Sequence, residues 1–228
     1  MSLKLENVQV TIQAAPILRG ISLELGLGER MGLVGRNGAG KTTVMRTITG
    51  LADLAGGKIF WNGEDITLMP PRDRARLGFG YMPEDRRLVP DLTVEENMLL
   101  PAWANDAIDG PQRLQFVYDL MPELTKMSKR KALLLSGGQQ KMVALGRALI
   151  AGEKLLLLDE PFEGVAPALA KRISDVITSL KGDGLSVLIA QSELSHSSDL
   201  LQRESVIERG EIIKVNVIDP TFAQQIQV

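Results

Sequence analysis

Cysteine is missing from all 228 residues, which removes disulfides, thiol nucleophiles and cysteine-ligated zinc from consideration. Histidine is nearly missing as well. His196 is the single imidazole, so one chain cannot assemble a histidine-built metal site. No apolar run approaches the ~18 uninterrupted residues of a membrane-spanning helix, and the N-terminus lacks the basic-then-apolar arrangement of a secretion signal. The chain is therefore not expected to cross a membrane. A basic excess is also lacking: the formal net charge of -2 argues against a protein held to nucleic acid by general electrostatics. What is present is a 44% hydrophobic composition, enough for a real interior. The length suits one large domain or a core with a substantial insertion.

Residues 35–43 read Gly-Arg-Asn-Gly-Ala-Gly-Lys-Thr-Thr. They follow the short apolar segment Met31-Gly32-Leu33-Val34 and precede a helical pattern starting near Lys41. Strand, glycine-rich turn and helix are the context in which such a loop cradles phosphate. Gly35, Arg36, Asn37, Gly38, Ala39 and Gly40 would supply converging backbone N–H groups at the positive end of the helix. Gly38 and Gly40 permit close approach where a Cβ would crowd the ligand. Lys41 would reach the β- and γ-phosphates, Thr42 would place its hydroxyl on Mg²⁺, and Thr43 completes the run. These residues point to ATP or GTP.

Elsewhere the pattern predicts an α/β organisation. Leu3, Leu5, Val8, Val10 and Ile12 alternate as an early half-buried strand or pair, and residues 20–25 form another. Residues 58–61 followed by Asn62-Gly63 carry a hairpin signal. These strands are expected to form a small mixed or antiparallel sheet beside the loop. A short strand is expected over 78–82, ending at Pro83. From about 92 to 150 the pattern is mainly helical, opened by a capping box from Thr93 to Glu96 and punctuated by Pro101, Gly110-Pro111 and Pro122. Residues 155–158 and 185–190 read as buried strands around a helix over 167–181. A final hairpin over 205–213 turns at Gly210.

The run Leu155-Leu156-Leu157-Leu158-Asp159-Glu160 ends an apolar strand in two carboxylates. Alone it reads equally as a solvated strand end. Beside the phosphate loop, Asp159 becomes the natural partner of Mg²⁺, and Glu160 can orient and polarise the attacking water. Leu135-Ser136-Gly137-Gly138-Gln139 stands at the start of another helical segment. Its serine and glycines make either a second anion-binding edge or an ordinary N-cap.

Taken in order, residues 35–43, 135–139 and 155–160 resemble the ATPase subunit of an ATP-binding-cassette transporter, with Leu135 through Gln139 similar to that family's signature sequence. The resemblance covers nearly the whole chain. It implies a P-loop NTPase fold of the ATP-binding-cassette type: a mixed-sheet core, an antiparallel β subdomain and a helical subdomain inserted at about 92–150, all within one nucleotide-binding domain spanning 1–228. It implies ATP and Mg²⁺ as ligands. Two such domains face head to tail, so that Ser136, Gly137, Gly138 and Gln139 of one would contact the γ-phosphate held by the other. The second subunit is either a related ATPase or another copy of this chain. Transmembrane permease subunits, and indirectly a periplasmic or extracellular solute-binding protein, complete the expected assembly. Its place is the cytoplasmic face of the membrane, with no nucleic-acid partner.

Residues 80–87, 92–97, 160–167 and 207–210 further resemble the ATPases of branched-chain amino-acid importers. ATPases of lipid or lipopolysaccharide-type exporters, and ATP-binding regulatory subunits with weak hydrolysis, stand as alternatives. Glu84 occupies the position of a glutamine that senses Mg²⁺ and water in most of the family. The importer branch often carries glutamate there, so Glu84 is a candidate catalytic and metal-side residue. Ser192 falls where the family usually has a switch histidine, and His196 is a weaker substitute for it. Ile12 falls at the position of the aromatic that stacks on adenine, where isoleucine packs without ring stacking. Gly164-Val165-Ala166-Pro167 replaces the commoner Asp-containing loop.

Overall fold

The computed structural model describes residues 3–180, 184–192 and 200–219. Strand β1 (Leu3–Ile12) pairs antiparallel with β2 (Ala15–Leu25) and, on its other edge, with β4 (Gly56–Trp61). The β1–β2 turn is made by Gln13 and Ala14, both at positive φ (48° and 64°), the backbone geometry of tight two-residue hairpins. Neither residue is a usual turn former, so the sequence pattern shows the strand only from Gly20 onward and misses its first half. Asn62 (φ 50°) and Gly63 (φ 87°) make the expected turn into β5 (Glu64–Asp65). The resulting four-stranded sheet has the order β2-β1-β4-β5 and is antiparallel throughout.

The second sheet has six strands in the order β10-β9-β3-β8-β7-β6. These are β10 (Glu211–Val217), β9 (Arg203–Glu208), β3 (Arg30–Val34), β8 (Ser186–Gln191), β7 (Leu155–Asp159) and β6 (Phe79–Met82). All neighbours run parallel except β10 on β9. Every residue of β7 and β8 is buried, as expected of parallel strands covered on both faces. Period two divides β7 between two cores. Leu155 and Leu157 pack with the antiparallel sheet and with Val44, Met45 and Ile48 of α1 (Lys41–Ile48). Leu156 and Leu158 pack with the helical side. Trp61 and Phe79 meet edge to face at 4.7 Å, joining the two sheets.

On the helical side, α3 (Val94–Ala104), α4 (Gly110–Leu120) and α5 (Pro122–Thr125) gather around α6 (Gly137–Ala151). The capping box of α3 forms as the sequence predicts: the Thr93 hydroxyl accepts from Glu96 N, and Glu96 accepts from Thr93 N at 2.8 Å. Helix α6 does more than complete this group. It packs directly on β6, where Gly80 lies so close to the Ala148 carbonyl that no Cβ fits. It therefore joins the helical region to the sheet. One helix is not legible in the sequence, α2 (Pro71–Arg76). It lacks an apolar stripe and serves through Arg74, whose buried guanidinium donates to the carbonyls of Thr47 and Ile48 at the C-terminal end of α1, and to those of Thr67 and Met69. Such groups otherwise remain unsatisfied at a helix end. Helix α7 (Pro167–Ser179) covers the far side of β7 and β8.

Candidate active site

The loop from β3 to α1 leaves the carboxyl edge of the parallel sheet, where ligands of open α/β sheets bind. Its path is fixed by neighbouring backbone: Gly35 N donates to Gln191 O (3.2 Å), and Gly210 N donates to Ala39 O (2.9 Å). Gly35 must be glycine because a Cβ would run into the Ile207 carbonyl. Gly38 differs. Its φ is +81° and a Cβ there would have no described atom within 4 Å, so it borders open space sized for a ligand. Gly40, at φ 112°, caps α1 without a side chain, leaving the N–H groups of the first turn to an anion.

An open pocket of 410 Å³ lies above this loop. Asn37, Gly38, Gly40, Lys41, Thr42 and Thr43 line one side, while Glu84 and Glu160 approach from the ends of the neighbouring strands. Ile17 of β2 closes the remaining side. Gly35, Arg36 and Ala39 line an adjoining pocket of 440 Å³ together with residues 206–209. Ile12 lies at the β1–β2 turn, 44% exposed, and lines neither of these two pockets. The apolar wall beside the phosphate loop is thus Ile17, hidden from the sequence pattern along with the first half of β2.

Within the pocket, Lys41 and Glu160 are paired. The ammonium lies 3.0 Å from Glu160 Oε1, with both side chains buried, and it also donates to the carbonyls of Gly35 (2.6 Å) and Arg36 (3.3 Å). Ser192 sits between the partners. Its backbone N–H donates to Glu160 Oε2 (3.1 Å) and its hydroxyl accepts from Lys41 (3.3 Å). Its one hydroxyl hydrogen has two acceptors within reach, Glu160 Oε1 at 2.7 Å and Asn37 Oδ1 at 2.8 Å, and it serves one at a time. Short as it is, serine holds the carboxylate through backbone and side chain together. His196 lies outside the described residues.

Asp159, at the end of β7, is fully buried. Tyr81 donates to its Oδ2 at 3.3 Å, whereas Oδ1 has no hydrogen-bond partner among the described residues. Burial pushes the Asp159 carboxyl up to about 6. Hydrogen bonding from Thr42 opposes this, Glu84 adds to it, Tyr81 opposes it, and Glu160 adds further. An unpartnered carboxylate oxygen near the Thr42 hydroxyl and the phosphate loop suits a hard cation with oxygen ligands. No group of three His, Cys, Asp or Glu side chains forms a metal cluster among the described residues. The donor set thus fits Mg²⁺ held by Asp159, Thr42 and phosphate, with Glu84 at the exposed rim.

The Ser136 edge stands apart from this pocket. Ser136 N-caps α6 in a complete capping box: its hydroxyl accepts from Gln139 N (3.3 Å), and Gln139 Oε1 accepts from Ser136 N (3.0 Å). Ser136 and Gly137 are exposed, and none of residues 136–139 lines the pockets around residues 35–43. The cap uses the hydroxyl as an acceptor, which leaves its hydrogen to donate outward.

A further residue was invisible in the sequence. Lys141, buried on α6, donates to the backbone carbonyl of Glu160 at 2.8 Å and to that of Glu163. Only the folded α6–β7 packing brings it there.

The family model described as "ABC transporter" matches residues 18–163. The chain belongs to the ABC transporter ATP-binding subunits. The high-affinity branched-chain amino acid transport ATP-binding protein BraG of Pseudomonas aeruginosa is 36% identical over 86% of this chain and 84% of its own. The lipopolysaccharide export system ATP-binding protein LptB of Haemophilus influenzae is also 36% identical, over 91% of this chain and 87% of its own. A crystal structure of a nucleotide-free ATP-binding cassette from an ABC transporter superposes with a TM-score of 0.83 at 26% identity, covering 100% of this chain and 95% of that one. As an ABC ATPase, the chain hydrolyses ATP. The family and the fold meet the expectation from sequence, while the importer branch is not singled out: import and export relatives stand at equal identity. No helix among the described residues is long and apolar enough to cross a membrane.

Proposed function

We propose that this ATPase hydrolyses ATP in sites enclosed between two subunits and thereby drives a membrane permease. The observation that carries this reading is the division of the chain into a buried Lys41–Glu160 pocket and a separate exposed Ser136 edge. One chain supplies both halves of a phosphate site without bringing them together. The second subunit is another copy or a related ATPase.

The resting pair suggests how the site switches on. The γ-phosphate competes with Glu160 for the Lys41 ammonium, a charge-assisted interaction on either side. When Lys41 turns to phosphate, Glu160 is released from its countercharge and remains tethered by Ser192, free to accept a hydrogen bond from water aligned for in-line attack. Mg²⁺, when bound through Thr42 and Asp159, supplies positive charge against the β- and γ-phosphate oxygens. Ser136, Gly137 and Gly138 of the second subunit donate to the γ-phosphate and exclude water from it. The subunits separate again once the γ-phosphate is lost, and the helical region transmits the motion to the permease. Glu160→Gln in single-turnover hydrolysis tests the central role, since unchanged chemistry would remove it.

Two cargo classes follow from the relatives. Export of a lipid-type molecule is supported by the longer match to the lipopolysaccharide export ATPase. Import of a branched-chain amino acid, with a solute-binding protein, is supported by Glu84 and the resemblance built around it. Co-reconstitution with the permease that copurifies separates them: loaded solute-binding protein stimulates ATPase activity in one case, and lipid cargo does so in the other.

A further inference from the structure

The loop after β7 presents Glu160 in an unusual backbone state. Its φ is 49°, in the left-handed region that non-glycine residues occupy infrequently. Three hydrogen bonds to its backbone hold it. On the N-terminal side, Glu160 N–H donates to Ala190 O of β8 at 2.9 Å. On the C-terminal side, the Glu160 carbonyl accepts from Glu163 N at 3.3 Å, closing a turn, and from the Lys141 ammonium at 2.8 Å. The same ammonium also holds the Glu163 carbonyl, so one cation grips both ends of the turn. Lys141 is only 6% exposed. Burial draws its pKa below the usual lysine range, with Glu163 pulling the other way. Carbonyl dipoles are its hydrogen-bond acceptors, and a buried cation is costly to keep without a task.

Lys141 lies five residues beyond Ser136 on one helix. That helix is tightly seated, since a Cβ on Gly80 of β6 would run into the helix's Ala148 carbonyl. We infer that Lys141 is a positioning residue for the hydrolytic carboxylate, fixing the Glu160 backbone from the same helix whose first turn is offered to the neighbouring subunit. This deepens the proposed function and rests on it. Engagement of the Ser136 edge with one nucleotide is thereby tied to the aim of Glu160 at the other, through a single side chain and one helical turn.

The test is steady-state hydrolysis by the 228-residue chain with substitutions at Lys141 and Glu160 and their melting temperatures. Lys141→Met keeps most of the unbranched apolar stem but removes every donor. Its kcat should fall about 10- to 100-fold, as expected of a slightly misplaced catalytic group, while KM for ATP stays within about twofold. Lys141→Arg keeps charge and donors and should recover most of the loss. An unchanged kcat in Lys141→Met overturns the inference. So does a loss shared equally by KM and melting temperature that Lys141→Arg fails to rescue, the pattern of a merely structural residue. Should Lys141→Met not fold, Lys141→Gln takes its place: its amide is one atom shorter and cannot span both carbonyls. It should lower kcat about threefold or more at constant KM, and wild-type kcat there overturns the inference equally. Glu160→Gln is assayed alongside. Normal hydrolysis in that variant means the underlying reading of Glu160 has failed, whereas its loss beside a wild-type Lys141→Met defeats only the role of Lys141.

Discussion

At the β3–α1 loop, Lys41, Glu160 and Ser192 satisfy one another inside a pocket, whereas at the start of α6 Ser136 and Gly137 face solvent, Ser136 held in its capping box and the Gly137 carbonyl accepting from Arg86 at 3.3 Å. The first region is buried, charged and already neutralised. The second is exposed and open, with the Arg86 guanidinium beside it. A ligand phosphate has to displace an existing ion pair at the first, whereas the second offers it an exposed helix start. The proposed function follows this difference, giving the chemistry to the loop and closure over it to the α6 edge. The electrostatics fit this division: the strongest pull on a buried carboxylate falls on Asp159, beside the loop, where burial and two neighbouring carboxylates raise its pKa.

The largest effect that tests this contrast is Glu160→Gln. Losing the carboxylate should lower single-turnover hydrolysis by about 10²-fold or more. ATP binding should be retained or tightened, because Lys41 no longer has a charged competitor. Weakened binding in parallel with the lost rate would show that the ion pair does not hold the resting site.

Ser136 offers a sharper separation, because aspartate caps helices as well as serine does. Ser136→Asp should leave melting within a degree or so, yet cut steady-state turnover by tens-fold or more, since it sets a negative charge against the γ-phosphate. Ser136→Ala should do the reverse in emphasis. It loses about 1 kcal/mol of cap, or about 2–4 °C for a chain of this size, with a smaller loss of turnover. Equal turnover in Ser136→Asp and wild type would make the edge an N-cap and nothing more.

Asp159→Asn acts on stability, with a useful sign. Asp159 titrates near 6 in the fold against an ordinary 3.8, so the nucleotide-free protein loses stability as pH rises through that window. The asparagine variant should be more stable by on the order of 1–3 kcal/mol above pH 6 and no more stable below about pH 4, where both side chains are neutral. Chemical denaturation across pH measures this directly. A variant equally or less stable at neutral pH would mean that the buried carboxylate is better satisfied than its unpartnered Oδ1 suggests.

Much of this architecture could be read from the chain before any coordinates. Residues 35–43 announce a turn between strand and helix because three glycines, Gly35, Gly38 and Gly40, fall within six residues between an apolar run and a helical pattern. Residues 155–158 announce a two-faced buried strand because four leucines in a row leave no polar side. Local chemistry also set the Thr93–Glu96 cap and the Asn62-Gly63 turn. What escaped depends on contacts distant in sequence or on unmarked backbone. The Gln13-Ala14 hairpin bears no turn signal, so the first half of β2 stayed hidden, and Ile17 with it. Helix α2 has no apolar period, since its purpose is the reach of Arg74. The Lys41–Glu160 pair, its bridge through Ser192 and the grip of Lys141 on the 160–163 turn join residues that only the parallel sheet and α6 bring together. Sequence supplied the reacting groups, and tertiary packing supplied their mutual restraint.

The absence of cysteine makes the most direct test of the two-subunit site clean, because any disulfide has to come from engineered positions. Asn37→Cys and Ser136→Cys are introduced together, and oxidative cross-linking between chains is followed with and without ATP and Mg²⁺. The account predicts an ATP-dependent cross-link joining the loop of one chain to the α6 edge of another, which no longer forms when the oxidant is added after the ATP has been hydrolysed. Undiminished hydrolysis by chains that never cross-link at any ATP concentration would contradict it.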